Sequence, residues 1–140
     1  MSFEFSGEQV DLTAHAYFSG IKSDLQKYGG IVVDREKPLR RSPEFATAVF
    51  DQVALILARS YSNCELDYET ADMLANAFQG ALLDLIMDFW PAGDGGPYPM
   101  QWSLVYEAFD AGEFDHFGRS SNPVAEFTDP MIAEFLAKQD

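Results

Sequence analysis

The sequence predicts an all-α protein, a single-domain bundle of four to five helices over residues 1–140. Three observations carry this. Apolar side chains recur every three or four residues through most of the chain. Residues that start and stop helices bracket those runs. The one stretch with strand character, Ile31-Val-Val33, is short and has no evident pairing partner. At 140 residues, 47% hydrophobic and 14% aromatic, the chain has enough apolar mass for one core, and its composition excludes wholesale disorder.

Ser6 is placed to cap a first helix, with Gln9 three residues on to complete a capping box. Val10, Ala14, Tyr17, Phe18, Ile21, Leu25 and Tyr28 form its inward stripe, and Gly29-Gly30 can end it in a left-handed conformation. Gly20 interrupts the outer side. Ser42-Pro43 opens a second helix, because proline at the first helical position forfeits no intrahelical hydrogen bond. Phe45, Val49, Phe50, Val53, Ile56, Leu57 and Tyr61 supply its buried face. Asp67 caps a third helix with Ala71, Leu74, Ala75, Phe78, Leu82, Leu85, Ile86 and Phe89 inward. Glu69, Asp72, Asn76, Asp84 and Asp88 lie outward, and Pro91 closes it. A Gly/Pro-rich loop occupies 91–99. A fourth, shorter helix runs from about Pro99 to Ala111 with Trp102, Val105, Tyr106 and Phe109 inward, and Gly112 stops it. Residues 113–128 read as irregular, and Asp129-Pro130 opens a last helix carrying Ile132, Phe135 and Leu136, with Lys138 near its negative end.

Charge divides the chain unevenly. Residues 1–64 hold eight acids and seven bases, whereas residues 65–140 hold fifteen acids against Arg119 and Lys138, for a net charge of −14. A field of that sign favours basic partners and disfavours nucleic acid and anionic membrane. No apolar run approaches the roughly 20 residues of a membrane span. The N-terminus lacks the cationic start and apolar core of a secretion signal. Cys64 is the single cysteine, so no internal disulfide can form. Together these point to a cytoplasmic protein.

Glu107-Ala-Phe-Asp-Ala-Gly-Glu-Phe-Asp-His116 packs four carboxylates and a histidine into ten residues. Such a cluster can offer acceptors to arginine forks or ligands to a divalent cation, the latter from Glu107, Asp110, Glu113 and His116. A calcium loop starting at Asp110 fails at Gly112 and Phe114, where oxygen ligands belong. Glu113-x-x-His116 has the spacing of a di-iron pair but lacks its second copy. Gly93, Gly95 and Gly96 have no Lys-Ser/Thr pair to make a phosphate loop. Cys64 has acidic neighbours and no nearby cation to activate it. The basic run Arg35, Lys37, Arg40 and Arg41 is diluted by Asp34, Glu36 and Glu44, and reads as a connector with local ion pairs. No cofactor signature is present.

The segment 105–137 resembles small acidic bacterial proteins, some of them immunity proteins of toxin systems. Ala108-Phe-Asp-Ala-Gly-Glu113 and the Thr-x-Pro-x-Ile pattern of 128–132 carry the likeness, over about a quarter of the chain. The resemblance implies an all-helical fold and a job done by binding, and it transfers no catalytic residue. The expected function is therefore a non-catalytic acidic binding protein that neutralises a basic, nuclease-like toxin. Its expected contact residues are Asp84, Asp88, Glu107, Asp110, Glu113 and Asp115, with Tyr98 and Trp102 as apolar anchors. The alternatives are a metal-dependent enzyme or regulator using the 107–116 cluster, and a homo-oligomer, such as a homodimer, with a housekeeping role.

Overall fold

Ser6 accepts a hydrogen bond from the Gln9 amide at 3.0 Å while Gln9 Oε1 accepts one from the Ser6 amide at 3.0 Å. This closed capping box starts α1, Gly7–Tyr28, and Gly29 ends it at φ 72°, a conformation open to glycine at little cost. Ser42 caps α2, Pro43–Ser62, through the Phe45 amide, and Asp67 caps α3, Tyr68–Phe89, through the Thr70 amide. The two remaining helices are α4, Met100–Ala111, and α5, Asp129–Ala137. The computed structural model describes residues 5–30, 34–90 and 96–139, so the strand candidate at 31–33 and Pro91 lie outside the described residues, as does the 91–95 part of the Gly/Pro loop. Among the described residues there is no strand, and the all-α bundle expected from periodicity is the fold.

α2 packs against each of the other four helices. Its sequence explains why: Ala46, Ala54 and Ala58 are fully buried between Val49, Phe50, Val53 and Leu57, so neighbouring backbones can approach on several sides. Tyr17, Phe50, Phe78 and Trp102 meet edge to face at centroid separations of 5.1–6.0 Å, joining α1, α2, α3 and α4 in one core. Tyr28, placed inward by periodicity, is the last residue of α1 and is 65% exposed.

Two polar devices stabilise this packing. Asp24 on α1 is 2% exposed and receives both Nε and a terminal nitrogen of Arg35, at 3.0 and 2.8 Å. Those hydrogen bonds hold its carboxyl below the usual range. Gly20 makes room for them, since a Cβ there would lie 3.1 Å from the Arg35 side chain. The basic connector is thus occupied locally, with Arg40 also paired to Asp34 at 3.0 Å, and a short 3-10 turn at Lys37–Arg41 leads into α2.

α4 begins at Pro99, which offers no side-chain cap. The cap comes from α2 instead: Asp51 Oδ1 accepts from the amides of Gln101 and Trp102 at 3.0 and 3.1 Å. Burial raises the Asp51 pKa, and these two amide bonds oppose the rise. Asp51→Ala leaves both amides without their acceptor, so it is expected to cost about 1–3 kcal/mol. The check is a lower urea midpoint with unchanged denaturant slope.

Candidate functional site

The last turn of α4 ends in carbonyls that backbone amides satisfy only in part, the Phe109 carbonyl taking the Gly112 amide at 3.1 Å. Three side chains take them up. Thr128 donates its hydroxyl to the Ala108 carbonyl at 2.7 Å, Tyr68 donates to the Phe109 carbonyl at 2.7 Å, and His116 Nε2 lies 2.7 Å from the Ala111 carbonyl. A carbonyl only accepts, so Nε2 carries the proton. Thr128 reaches its partner because residues 124–128, expected to be irregular, form a turn of π-helix that runs straight into α5. The wider turn rotates Thr128 inward, where it is fully buried. Gly112 sits beneath these groups: a Cβ there would fall 2.4 Å from Thr128 Oγ1 and 2.8 Å from the Tyr68 hydroxyl.

Over this platform the carboxylates of α3 and α4 converge. Asn76 on α3 donates to Glu113 Oε2 at 2.9 Å, tying the loop after α4 to α3. Asp72, one helical turn earlier, has Oδ1 buried with no hydrogen-bond partner. Its carboxyl is pushed up to about 7, by burial first and then by the adjacent Glu113 and Asp110. The Tyr106 hydroxyl feels the same field: burial raises its pKa, and Asp110, Glu113 and Asp72 raise it further. Asp110 and Glu113 are exposed, as is Asp115 beyond them. They stand at the negative end of the α4 dipole, which adds to their potential. In residues 65–139 the one ion pair among the described residues is Lys138–Glu134 at 3.1 Å. Internal cations therefore leave this acidic end uncompensated.

The loop after Glu113 adds an aromatic element that periodicity does not reveal. The His116 ring lies between those of Phe114 and Phe127, with both centroids at 4.1 Å. His116, Phe117 and Gly118 then take φ values of 54°, 63° and 82°. Two successive non-glycine residues in the left-handed region are costly, roughly 1–2 kcal/mol each. Here they lift the Phe117 side chain out of the protein, 93% exposed. The same turn seats the His116 ring between Phe114 and Phe127 and sets the Phe117 ring edge-on to Phe114 at 6.3 Å. The sequence signal is the unperiodic Phe-Asp-His-Phe-Gly run at 114–118.

The residues expected at the site are not all together. Asp110 and Glu113 join Asp72, and Asp115 follows on the same loop. Glu107 is exposed on α4, three residues before Asp110 and so beside it on the helix surface. Asp84 and Asp88 are exposed on α3 but lie about 18 and 24 Å along its axis from Asp72, at 1.5 Å per residue. Tyr98 is partly exposed just before α4. Trp102 is a correction: it is 0% exposed, donates Nε1 to Gln79 Oε1 at 2.8 Å, and belongs to the core, so no partner can reach it. Its apolar position in the fourth helix faces α2 and α3 because Asp51 fixes the start of that helix. The metal set is a second correction. His116 is turned onto the Ala111 carbonyl and enclosed by two rings, and no group of three or more His, Cys, Asp or Glu among the described residues is placed to hold a metal ion.

A surface groove of about 490 Å³ between α2, the start of α3 and α5 includes Cys64, Asp67 and Asp129 but neither histidine. It offers Cys64 no imidazole base. Among the described residues no helix is long and apolar enough to cross a membrane. No protein-family model matches the chain, no curated protein matches it, and no solved structure does.

Proposed function

We propose that this chain is a non-catalytic acidic binding protein of the bacterial cytoplasm, an immunity protein that neutralises a basic, nuclease-like toxin. The observation that supports it best is the uncompensated acidic end formed by Asp72, Asp110 and Glu113, with Asp115 and the projecting Phe117 on the adjoining loop. A nuclease holds phosphate in a cationic cleft. A carboxylate surface can occupy that cleft, speed encounter through its long-range field and exclude the substrate. Phe117 supplies the apolar anchor that a purely charged contact lacks, since a few buried aromatic groups dominate most interfaces. Glu107 adjoins this centre through Asp110, whereas Asp84 and Asp88 stand outside it and act, in this reading, only through the general field, and Tyr98 lies apart from it.

The test is capture of a basic nucleic-acid-cleaving protein from the native cell, at low and high salt. Wild-type protein is expected to retain it, block its cleavage activity and release it as salt rises. Asp110→Lys, Glu113→Lys and Asp115→Lys combined are expected to weaken capture by about tenfold or more while thermal unfolding remains cooperative. Retention indifferent to both salt and charge reversal overturns the reading.

A further inference from the structure

We infer that one proton shared by Asp72 and Glu113 latches the loop at 113–120 onto α3, and that losing this proton to solvent releases the loop. One hydrogen bond among the described residues joins that loop to α3, from Asn76 to Glu113 Oε2 at 2.9 Å. Glu113 also lies within hydrogen-bonding reach of the Asp72 carboxyl. Asp72 Oδ1 is buried and has no donor, and none of the ion pairs among the described residues includes either acid. Two carboxyl groups in contact with no cation between them do not both ionise readily, so one keeps a proton and donates it to the other.

In the closed state Glu113 accepts twice, from Asn76 and from the Asp72 hydroxyl. Loss of the proton removes one donor and sets two carboxylates against each other. Asp72 is fixed within α3, whereas Glu113 is exposed and is the first residue beyond Gly112, so Glu113 is the one that leaves. Its loop is otherwise bonded within itself or back to α4, as from Ser120 to Asp115 and from His116 to Ala111. Nothing in those bonds ties it to α3.

The groups around Asp72 favour the protonated form. Its carboxyl is pushed up to about 7 by burial first, then by Glu113 on the loop and Asp110 on α4, with a hydrogen bond from Tyr68 opposing the rise. Tyr106 of α4 remains neutral in this range. α2 presents Tyr61, also neutral, whose ring meets that of Tyr68 at 6.5 Å. Lys22 of α1 stands beside Thr70, Met73 and Leu74, at least about 100° around α3 from Asp72. The latch is therefore strongest below the ordinary aspartate range of about 3.9, weakens as pH rises above it, and levels off once the closed pair has also lost its proton. It is a property of the free chain, so it stands or falls apart from the partner proposed above.

Arg119 is the one lysine or arginine between Arg59 and Lys138, which lets trypsin report on this loop. Cleavage after Arg119, normalised at each pH to that of a small unstructured peptide, is expected to quicken about tenfold or more from pH 5.5 to pH 8 in the wild-type protein. Asp72→Asn, which can donate to Glu113 at both pH values, is expected to stay slow throughout. Glu113→Ala, which has no latch, is expected to be fast at both. Arg59, within α2, reports opening of the whole bundle, and its cleavage at pH 8 is expected to be about tenfold or more slower than at Arg119. No rise in the wild type, the same rise in Asp72→Asn, slow cleavage of Glu113→Ala at pH 5.5, or equal rates at Arg59 and Arg119 overturns the proposal.

Discussion

Gly112→Ala is expected to destabilise the protein by about 2–4 kcal/mol, although it adds one methyl group. The backbone there is ordinary right-handed helix, φ −83° and ψ −7°, so alanine meets no conformational penalty. The cost is wholly one of space. The new Cβ would stand 2.4 Å from Thr128 Oγ1 and 2.8 Å from the Tyr68 hydroxyl, and neither can simply swing aside. Each is committed to a carbonyl of the last turn of α4 at 2.7 Å, and Thr128 is fully buried. Relief of the overlap breaks one or both hydrogen bonds, at about 1–3 kcal/mol for each group left unsatisfied. Strained repacking adds about 1–3 kcal/mol. The entropy lost from the unfolded chain returns about 0.4–1 kcal/mol.

The melting temperature of a chain this size is expected to fall by roughly 3–5 °C per kcal/mol. Gly112→Ala combined with Thr128→Ala removes the clashing oxygen. It is expected to cost less than the sum of the two single changes, a coupling that a double-mutant cycle reads directly. Equal melting temperatures for Gly112→Ala and wild type would show that this contact is loose.

Asp72→Asn is expected to stabilise the protein at pH 8 and to leave it nearly unchanged at pH 4. The folded carboxyl titrates near 7, whereas an unfolded aspartate titrates near about 3.9. Between those values the native state holds a proton that the unfolded chain has released. Stability therefore falls as pH rises through this window and is level above it. The groups responsible are Glu113 on the loop, Asp110 on α4 and the burial of Asp72 itself, with Tyr68 and Tyr106 as neutral neighbours at these pH values.

A shift of this size corresponds to about 4 kcal/mol at full strength. Asp72 keeps some contact with solvent, and about 1–2 kcal/mol is the expected effect after screening. Asparagine removes the charge and can donate to Glu113. Melting curves from pH 4 to 8 check this, with the window bounded below because Asp24 and Asp67, whose carboxyls are held low, lose their own contributions in stronger acid. Parallel pH profiles for the two proteins would place the titrating group elsewhere. Because Asp72 borders the surface proposed to meet a cationic partner, binding such a partner is also expected to draw the pair towards its ionised form and release a proton.

The helices were legible because their signals are local. Ser6 with Gln9, Ser42 with Pro43, and Asp67 with Thr70 act within three residues. The apolar stripes of α1, α2 and α3 repeat within one or two turns, so the chain carries them without reference to its neighbours. The later third was harder. Pro99 carries no cap of its own, and Asp51 supplies one from 50 residues away. The π-helical turn before α5 follows no pattern that a 3.6-residue period detects.

Sequence alone determined the fold class, four of the helix starts and the heavy excess of carboxylates after residue 64. Tertiary structure decided which carboxylates meet. Asp72 and Glu113 are neighbours only because α3 and α4 run past each other in one register, and Asp84 and Asp88, on the same helix, are carried far from them. It also buried Trp102 and raised Phe117 into solvent. Caps and periodicity are written over a few residues, but an electrostatic field depends on distances between helices, and those follow from how the core packs.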